Sequence, residues 1–351
     1  METRISSLGQ GPGLAWKRGS SSFPPGSLAE LQDWTGGTTE PVEPPWHGDL
    51  TFQQWNTIGW AITDDGILCI RPWEGNVGET GPAITSYDVP WHDQASKIRK
   101  IESIGLIVLN ENSSELFYYC SDLTDLSGIA DWDVSHVTDM GYMFYDCSSL
   151  TNLTPLANWK VSNVTSMWTM FSSCSSLTDM TGIADWNVSN VESMGNMFSS
   201  CSSLTDLTGL ENWDVSNVTD VDSMFQDCSS LTDLTALANW DVSKVPNMSH
   251  MFNGCSSLTD LTALKNWNMS NVAMMDFMFR DCSSLQRIGI PSIANGGQKL
   301  VENADDAKLT TVLPSIISED GSMGPYTWDD LNTEMTTNPS AFQEGTVWVR
   351  E

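Results

Sequence analysis

Seven cysteines, Cys120, Cys147, Cys174, Cys201, Cys228, Cys255 and Cys282, stand 27 residues apart, and so do six tryptophans, Trp132, Trp159, Trp186, Trp213, Trp240 and Trp267. No insertion interrupts the period. A fixed period of this size marks a repeat array, because each unit buries its apolar face only against its neighbours. The expected fold class is therefore a repeat solenoid, not a single globular core.

Within one repeat the apolar positions are mostly three apart. In the unit that starts at Trp213 they are Trp213, Val215, Val218, Val221, Met224, Phe225, Cys228, Leu231, Leu234 and Leu237. This is neither the alternation of a strand nor the period of a helix. It predicts a tight coil of short parallel strands with a short helical or 3-10 piece around Ser223 to Cys228. Stacking then sets identical side chains above one another, about 4.8 Å apart where strands pair. Burial of roughly 25 cal/mol per Å² at every interface drives the stack.

Four segments divide the chain. Residues 1–48, rich in Gly, Pro and Ser ("SSSFPPGS", "TGGTTEPVEPPWHG"), read as an extended arm or linker. Residues 49–119 read as a small β lead-in, with "WAITDDGILCIRP" as a hairpin turning at Asp64-Asp65-Gly66. The array covers 120–290. Residues 291–351, ending in the strand-like "GTVWVRE", read as a C-terminal cap.

The combination of "CSSLTDL" with "WDVSNVTD" resembles the BspA-like leucine-rich repeat family of bacterial surface proteins, in the variety also found in mycoplasma lipoproteins. The resemblance spans about 120–290, and "DDGILCI" with "PWHDQASKIRKI" is similar to the lead-in of such arrays. It implies a right-handed parallel leucine-rich-repeat-like solenoid used for adhesion or interaction outside a cell, with no catalytic residues to carry over. The chain departs from the general leucine-rich pattern, having Leu-x-x-Leu-x-x-Leu with no asparagine ladder directly after it, so the position and curvature of the sheet stay open.

The ladders invite sharper readings. Stacked cysteines are near enough for disulfides but have parallel Cβ vectors, and no Cys-x-x-Cys pair suggests a metal. A stack of small buried thiols is the expectation for Cys147, Cys174, Cys201, Cys228 and Cys255. The tryptophans are expected to pack in the core or at a corner, against the alternative of a sugar-binding strip. Asp179, Asp206, Asp233 and Asp260, with Asp125 before them and Asn152 substituting once, form an acidic ladder. Stacked carboxylates repel, so they turn to solvent, cap backbone amides or share a cation; calcium is the one cofactor candidate, and no EF-hand loop accompanies it. A threonine ladder from Thr124 to Thr259 suggests ice binding but lacks a flat Thr-x-Thr face.

Recognition is expected where the copies differ. Two variable pairs flank Met-Phe, beginning with Gly141-Tyr142 and Tyr145-Asp146 in the first copy. They place Tyr142, Tyr145, Trp168, His250 and Phe277 at positions released from the packing rule, and aromatics dominate binding hot spots. The alternative is that these are tolerated surface residues.

Composition narrows the partner. A formal charge of −30 and a pI near 4.1 oppose nucleic acid and anionic membranes. No apolar run is long enough to cross a bilayer. "METRISSLGQGPGLAWKRG" shows no Sec signal pattern, and neither end shows a sorting or lipidation motif. The four histidines, His47, His92, His136 and His250, fall in no triad or metal motif, and no phosphate loop or Gly-x-Ser-x-Gly occurs. The expectation is a non-enzymatic extracellular-type protein that binds a protein or glycan on a cell surface. Display as a phage virion fibre, with residues 1–48 contacting a virion partner or a second copy, stands first. A bacterial surface or secreted adhesin is the rival, a structural spacer the third reading, and a glycan-active enzyme the last.

Overall fold

A computed structural model describes residues 50–55, 57–73, 89–339 and 346–350, all within one compact unit spanning 38–351. The arm of residues 1–48 lies outside the described residues.

The lead-in is a mixed four-stranded sheet in the order β1 (Gln53–Trp55), β2 (Ile58–Ile62), β3 (Ile67–Pro72), β4 (Lys100–Ser103). The first three strands are antiparallel; β3 and β4 run parallel. The β2–β3 turn is made where the Asp-Asp-Gly stretch sits, with Gly66 at φ 85° and Arg99 donating its amide to the Gly66 carbonyl. A bridge from Lys100 to Asp125 carries the sheet into the first repeat.

From there the 27-residue units stack as a repeat fold. Parallel bridges join Asp139, Ser166, Ser193, Asp220, Asn247 and Met274 in succession. One apolar core runs unbroken from Ile58 through every repeat to Trp348. Phe117, Phe144, Phe171, Phe198, Phe225, Phe252 and Phe279 form an aromatic ladder through it, with ring centroids 5.4–6.0 Å apart.

The expected strands shrink to single bridges along most of the array and lengthen at its end into the two-residue β5 (Asp260–Leu261) and the three-residue β6 (Arg287–Gly289). The helical piece also moves. Residues 222–227 form a run of turns, and the 3-10 helix lies at Thr235–Leu237, as at Thr154–Leu156 and Thr181–Ile183. The cause is backbone conformation in the Met-Phe stretch. Two residues per repeat take positive φ, including Tyr142 and Asp146, Thr169 and Ser173, Asn196 and Ser200, Ser223 and Asp227, all between 55° and 63°. A helix cannot hold such residues. Alternate amides instead point along the stack: Met167, Thr169, Phe171 and Ser173 donate to the carbonyls of Ser193, Gly195, Met197 and Ser199 at 2.7–3.0 Å. The four bonds to the next repeat offset the roughly 1–3 kcal/mol that each of the two left-handed residues costs.

Asx side chains turn the corners. In the Trp213 unit the amides of Ser216, Asp222 and Thr235 donate to the Oδ1 atoms of Asp214, Asp220 and Asp233 at 3.1, 3.1 and 2.8 Å.

Both ends are closed by substitutes for a repeat. Trp91 packs on Phe117 at the start of the phenylalanine ladder, and its Nε1 donates to the Leu116 carbonyl at 3.0 Å. At the far end β5 continues into a mixed sheet ordered β5, β6 (Arg287–Gly289), β8 (Val347–Arg350), β7 (Ile316–Ser318). Helices α1 (Gly297–Glu302), α2 (Leu309–Val312) and α3 (Trp328–Thr337) complete the cap. Carbonyls of Asp306 and Ala307 receive the amides of Phe277 and Phe279, where another repeat would have stood.

Candidate functional site

Most ladder residues are occupied by holding the stack together. Each tryptophan from Trp159 to Trp267 donates Nε1 to a carbonyl of the preceding repeat, at Ile129, Leu156, Ile183, Leu210 and Leu237, at 2.8–3.1 Å. Trp132, at the start, donates to Ser103 Oγ instead. None of the six is more than 6% exposed, which leaves no ring face for a sugar.

The thiols do more than fill space. Sγ of Cys147, Cys174, Cys201, Cys228, Cys255 and Cys282 donates to the carbonyl of Phe117, Phe144, Phe171, Phe198, Phe225 and Phe252 at 3.1–3.3 Å. All eight cysteines are free and buried. Burial pushes the thiols up, to about 12 at Cys228 and Cys282, which keeps them protonated and unreactive.

The acidic ladder faces the backbone. Asp179, Asp206, Asp233 and Asp260 each accept the amide two residues on, at 2.8–3.0 Å. These bonds hold the Asp206 carboxyl below its usual range, chiefly through Thr208. Among the described residues no group of three or more His, Cys, Asp or Glu side chains could hold a metal ion. In the threonine ladder the hydroxyls of Thr124, Thr178 and Thr232 likewise donate to carbonyls of the turn before, at Arg99, Thr151 and Thr205, and Thr165 and Thr219 do the same in a neighbouring register.

A further ladder escapes sequence reasoning. Asn163, Asn190, Asn217 and Asn271 donate Nδ2 to the carbonyls of Ser135, Ser162, Ser189 and Ser243. The Ser-Asn dipeptide that recurs at this register is the signal that would have found it.

The turn face is different. Tyr142, Tyr145 and Trp168 come together, Tyr142 lying 4.8 Å from the Trp168 ring at 82° and 5.6 Å from Tyr145. Tyr118 and Tyr119 join them, Tyr118 stacking on Tyr145 at 5.0 Å and Tyr119 meeting Tyr118 edge-on at 4.2 Å. His92 stacks on Tyr118 and extends the patch to the lead-in. Tyr119 and Trp168 remain 44% and 39% exposed; the rings between them are half-buried. Tyr118 and Tyr119 could have been found by stepping one period back from Tyr145 and Asp146.

Burial raises the Tyr118 and Tyr145 phenols, and the side chains of Glu115 and Asp146 beside them, above their ordinary values. The patch is thus a partly dry aromatic surface edged by carboxylates. His250 and Phe277 do not belong to it. They form a separate pair 5.3 Å apart at the C-terminal end, where Arg280 and Lys308 lie 5.4 and 5.3 Å from the Phe277 ring. Nor are all the released positions surface: Thr169, Ser223 and Ser249 are buried.

Stacked 27-residue units, closed at both ends and carrying no constellation of catalytic groups on the ladders, define a repeat protein. The chain belongs to the family described as "Mycoplasma protein of unknown function, DUF285", whose profile matches residues 111–235 and 204–292, just over half of its length. It is also similar to a leucine-rich repeat protein from Bacteroides ovatus (15% identity, 66% of this chain and 81% of that one, TM-score 0.28). A leucine-rich repeat protein from Eubacterium ventriosum (17% identity, 68% and 84%, TM-score 0.22) is similar as well. So is a leucine rich cell surface protein from Faecalibacterium prausnitzii (14% identity, 68% and 94%, TM-score 0.19). No curated protein matches.

Proposed function

We propose that this protein is a non-enzymatic, leucine-rich-repeat-like solenoid displayed outside a cell, which recognises a protein or glycan on a cell surface through its turn face. One observation carries the reading: at the N-terminal end of that face Tyr118, Tyr119, Tyr142, Tyr145 and Trp168 form a continuous, partly exposed cluster, while the tryptophan and phenylalanine ladders are sealed in the core. Rings with polar tips give large contact area at small entropic cost, the usual make-up of a binding hot spot. The cell-surface description of the Faecalibacterium prausnitzii protein agrees with display outside the cell. The carrier is a virion or a bacterial surface, with residues 1–48 as the attachment arm.

The test is a cell-binding assay with the triple variant Tyr119→Ser, Tyr142→Ser, Trp168→Ser. Loss of binding with unchanged circular dichroism supports the reading. Undiminished binding leaves the patch without a role and favours a spacer.

A further inference from the structure

At the repeat position shared by Gly141, Trp168, Gly195, Asp222, Ser249 and Asp276, one residue is large and its two neighbours in the stack are glycines. The structure shows what the glycines permit. A Cβ built on Gly195 would stand 2.9 Å from Trp168 Cδ1 and 3.1 Å from Nε1, so the indole lies directly over the Gly195 backbone. Tyr142 meets the same ring at 82° from the other side. Held by Gly195 and Tyr142 and still 39% exposed, Trp168 is a preorganised platform: little of its rotamer freedom remains to be lost on binding.

The surface beyond it is low. Following the stack toward the C-terminus, the turn face carries partly exposed small polar residues, among them Ser173, Asn196 and Ser200, until His250 and Phe277 rise again. Backbone hydrogen bonds and bridges join consecutive repeats along this face, so each repeat offers these positions anew at about the 4.8 Å spacing of paired strands. That step is comparable to the length one sugar unit adds to an extended linear chain. It is shorter than the roughly 6.6 Å of two residues in an extended peptide, the interval at which peptide side chains return to one face. Charge excludes a polyanion, since Glu115, Asp146, Asp222 and Asp227 stand on or beside this face of a chain with net charge −30.

We propose that Trp168, kept in place by Gly195, is the platform for an uncharged linear glycan that lies along the stack from the tyrosine patch toward His250. This rests on the surface-recognition reading above and names its ligand class. The apolar C–H face of one sugar ring covers the indole, and hydroxyls of the following units meet the polar side chains of the next repeats.

The test is isothermal titration of the full-length protein with neutral linear oligosaccharides built from glucose, mannose, galactose or N-acetylglucosamine, from disaccharide to hexasaccharide, with heparin as the charged control. At least one neutral series should bind with affinity that rises with length and is insensitive to salt. Gly195→Ala should weaken it about tenfold, the scale of one anchoring contact. Gly195 does not have positive φ, and the added methyl meets side-chain atoms of Trp168 and Asp220, so this variant should keep its fold. Trp168→Ser should weaken binding at least as much. If no neutral glycan binds while Trp168→Ser still abolishes attachment to cells, the ligand is a protein: the glycan proposal falls and surface recognition stands. Length-independent affinity, or stronger binding of heparin, also overturns the proposal. If Trp168→Ser and the triple serine variant leave cell attachment intact, both readings fall.

Discussion

On the ladder side of the stack, from the Trp positions through the Cys and Leu-Thr-Asp-Leu run, each repeat sets nearly the same residue at the same place and ties its polar atoms to a neighbour. On the turn face the backbone is equally regular, but the side chains differ from repeat to repeat. Trp213 and Trp168 make the contrast concrete. Trp213 is 4% exposed and its indole N–H is bound to Ile183 of the preceding repeat; Trp168 is 39% exposed and leans on a glycine. The difference teaches that a residue type alone does not mark its role: uniformity across copies goes with packing, and departure from it with a surface that is available for recognition.

The sharpest way to break this contrast is pH. The ladder thiols are raised by burial, so the folded chain keeps protons that an unfolded chain releases above about pH 8.5. Their stabilisation is complete below that value and is lost as pH rises toward about 12, at about 1.4 kcal/mol per pH unit for each thiol. With several thiols in register the sum exceeds the marginal stability of an ordinary domain, and the repeats should unfold between about pH 9 and 11. Circular dichroism followed through an alkaline titration measures this. Cys201→Ala with Cys228→Ala should lower the steepness of the pH dependence, and an unchanged dependence would mean that the thiols are not its cause.

Trp213→Ala should cost about 3–5 kcal/mol, combining a cavity with loss of the indole bond to the Ile183 carbonyl, which keeps the Trp186 amide as its remaining donor. Urea unfolding at pH 7 measures it. A loss below about 1 kcal/mol would show that the repeat relaxes into the space, and that the tryptophan ladder is not a packing element. Cys228→Ala should cost about 1–2 kcal/mol at the same pH, and Cys228→Ser, which restores a donor toward Phe198, should recover part of it.

The Asx corners sit a step lower in energy. Asp206→Ala should cost about 1 kcal/mol or less, since the bond to the Thr208 amide is solvent-exposed. The carboxyl is held low by that bond, so its contribution is present above about pH 3.9 and fades as pH falls through the lowered value. An Asp206→Asn variant keeps the acceptor and loses the charge, and its acid unfolding curve should be shallower than that of the unaltered chain.

Much of this architecture was legible because the sequence contains its own internal comparison. The 27-residue register placed the tryptophan and cysteine ladders, since a position that never changes in a stack is one that meets its own copy. Backbone conformation was harder to see. Spacing of three between Val221 and Met224 and between Phe225 and Cys228 suggested a helical piece, whereas the left-handed residues Ser223 and Asp227 turn the chain into a tape bonded to the next repeat. Asn196, Asp227 and Gly254 at these positions are types that tolerate positive φ, but Thr169 and Phe277 occupy the same register and hide the signal. The candidate site was half visible: Tyr142, Tyr145 and Trp168 stood out as departures from the repeat, while Tyr118, Tyr119 and His92 precede the first complete copy and had nothing to depart from. His250 and Phe277 stood out equally, and distance along the stack separates them from the patch.

The smallest expected effect on stability is the most informative for the comparison. Trp168→Ser removes a large aromatic residue, as Trp213→Ala does, yet it should cost under about 1 kcal/mol, the value of its edge contact with Tyr142 and the area shared with Gly195. Thermal melts of the two variants side by side decide the matter: a wide separation means that the turn face is free to vary, as a recognition surface must be. Should Trp168→Ser melt as early as Trp213→Ala, the indole would be holding adjacent repeats together, and its exposure would be incidental to a packing role. The same protein samples in the cell-binding assay then show whether the low cost in stability accompanies a large loss in attachment, the combination that separates a binding residue from a ladder residue.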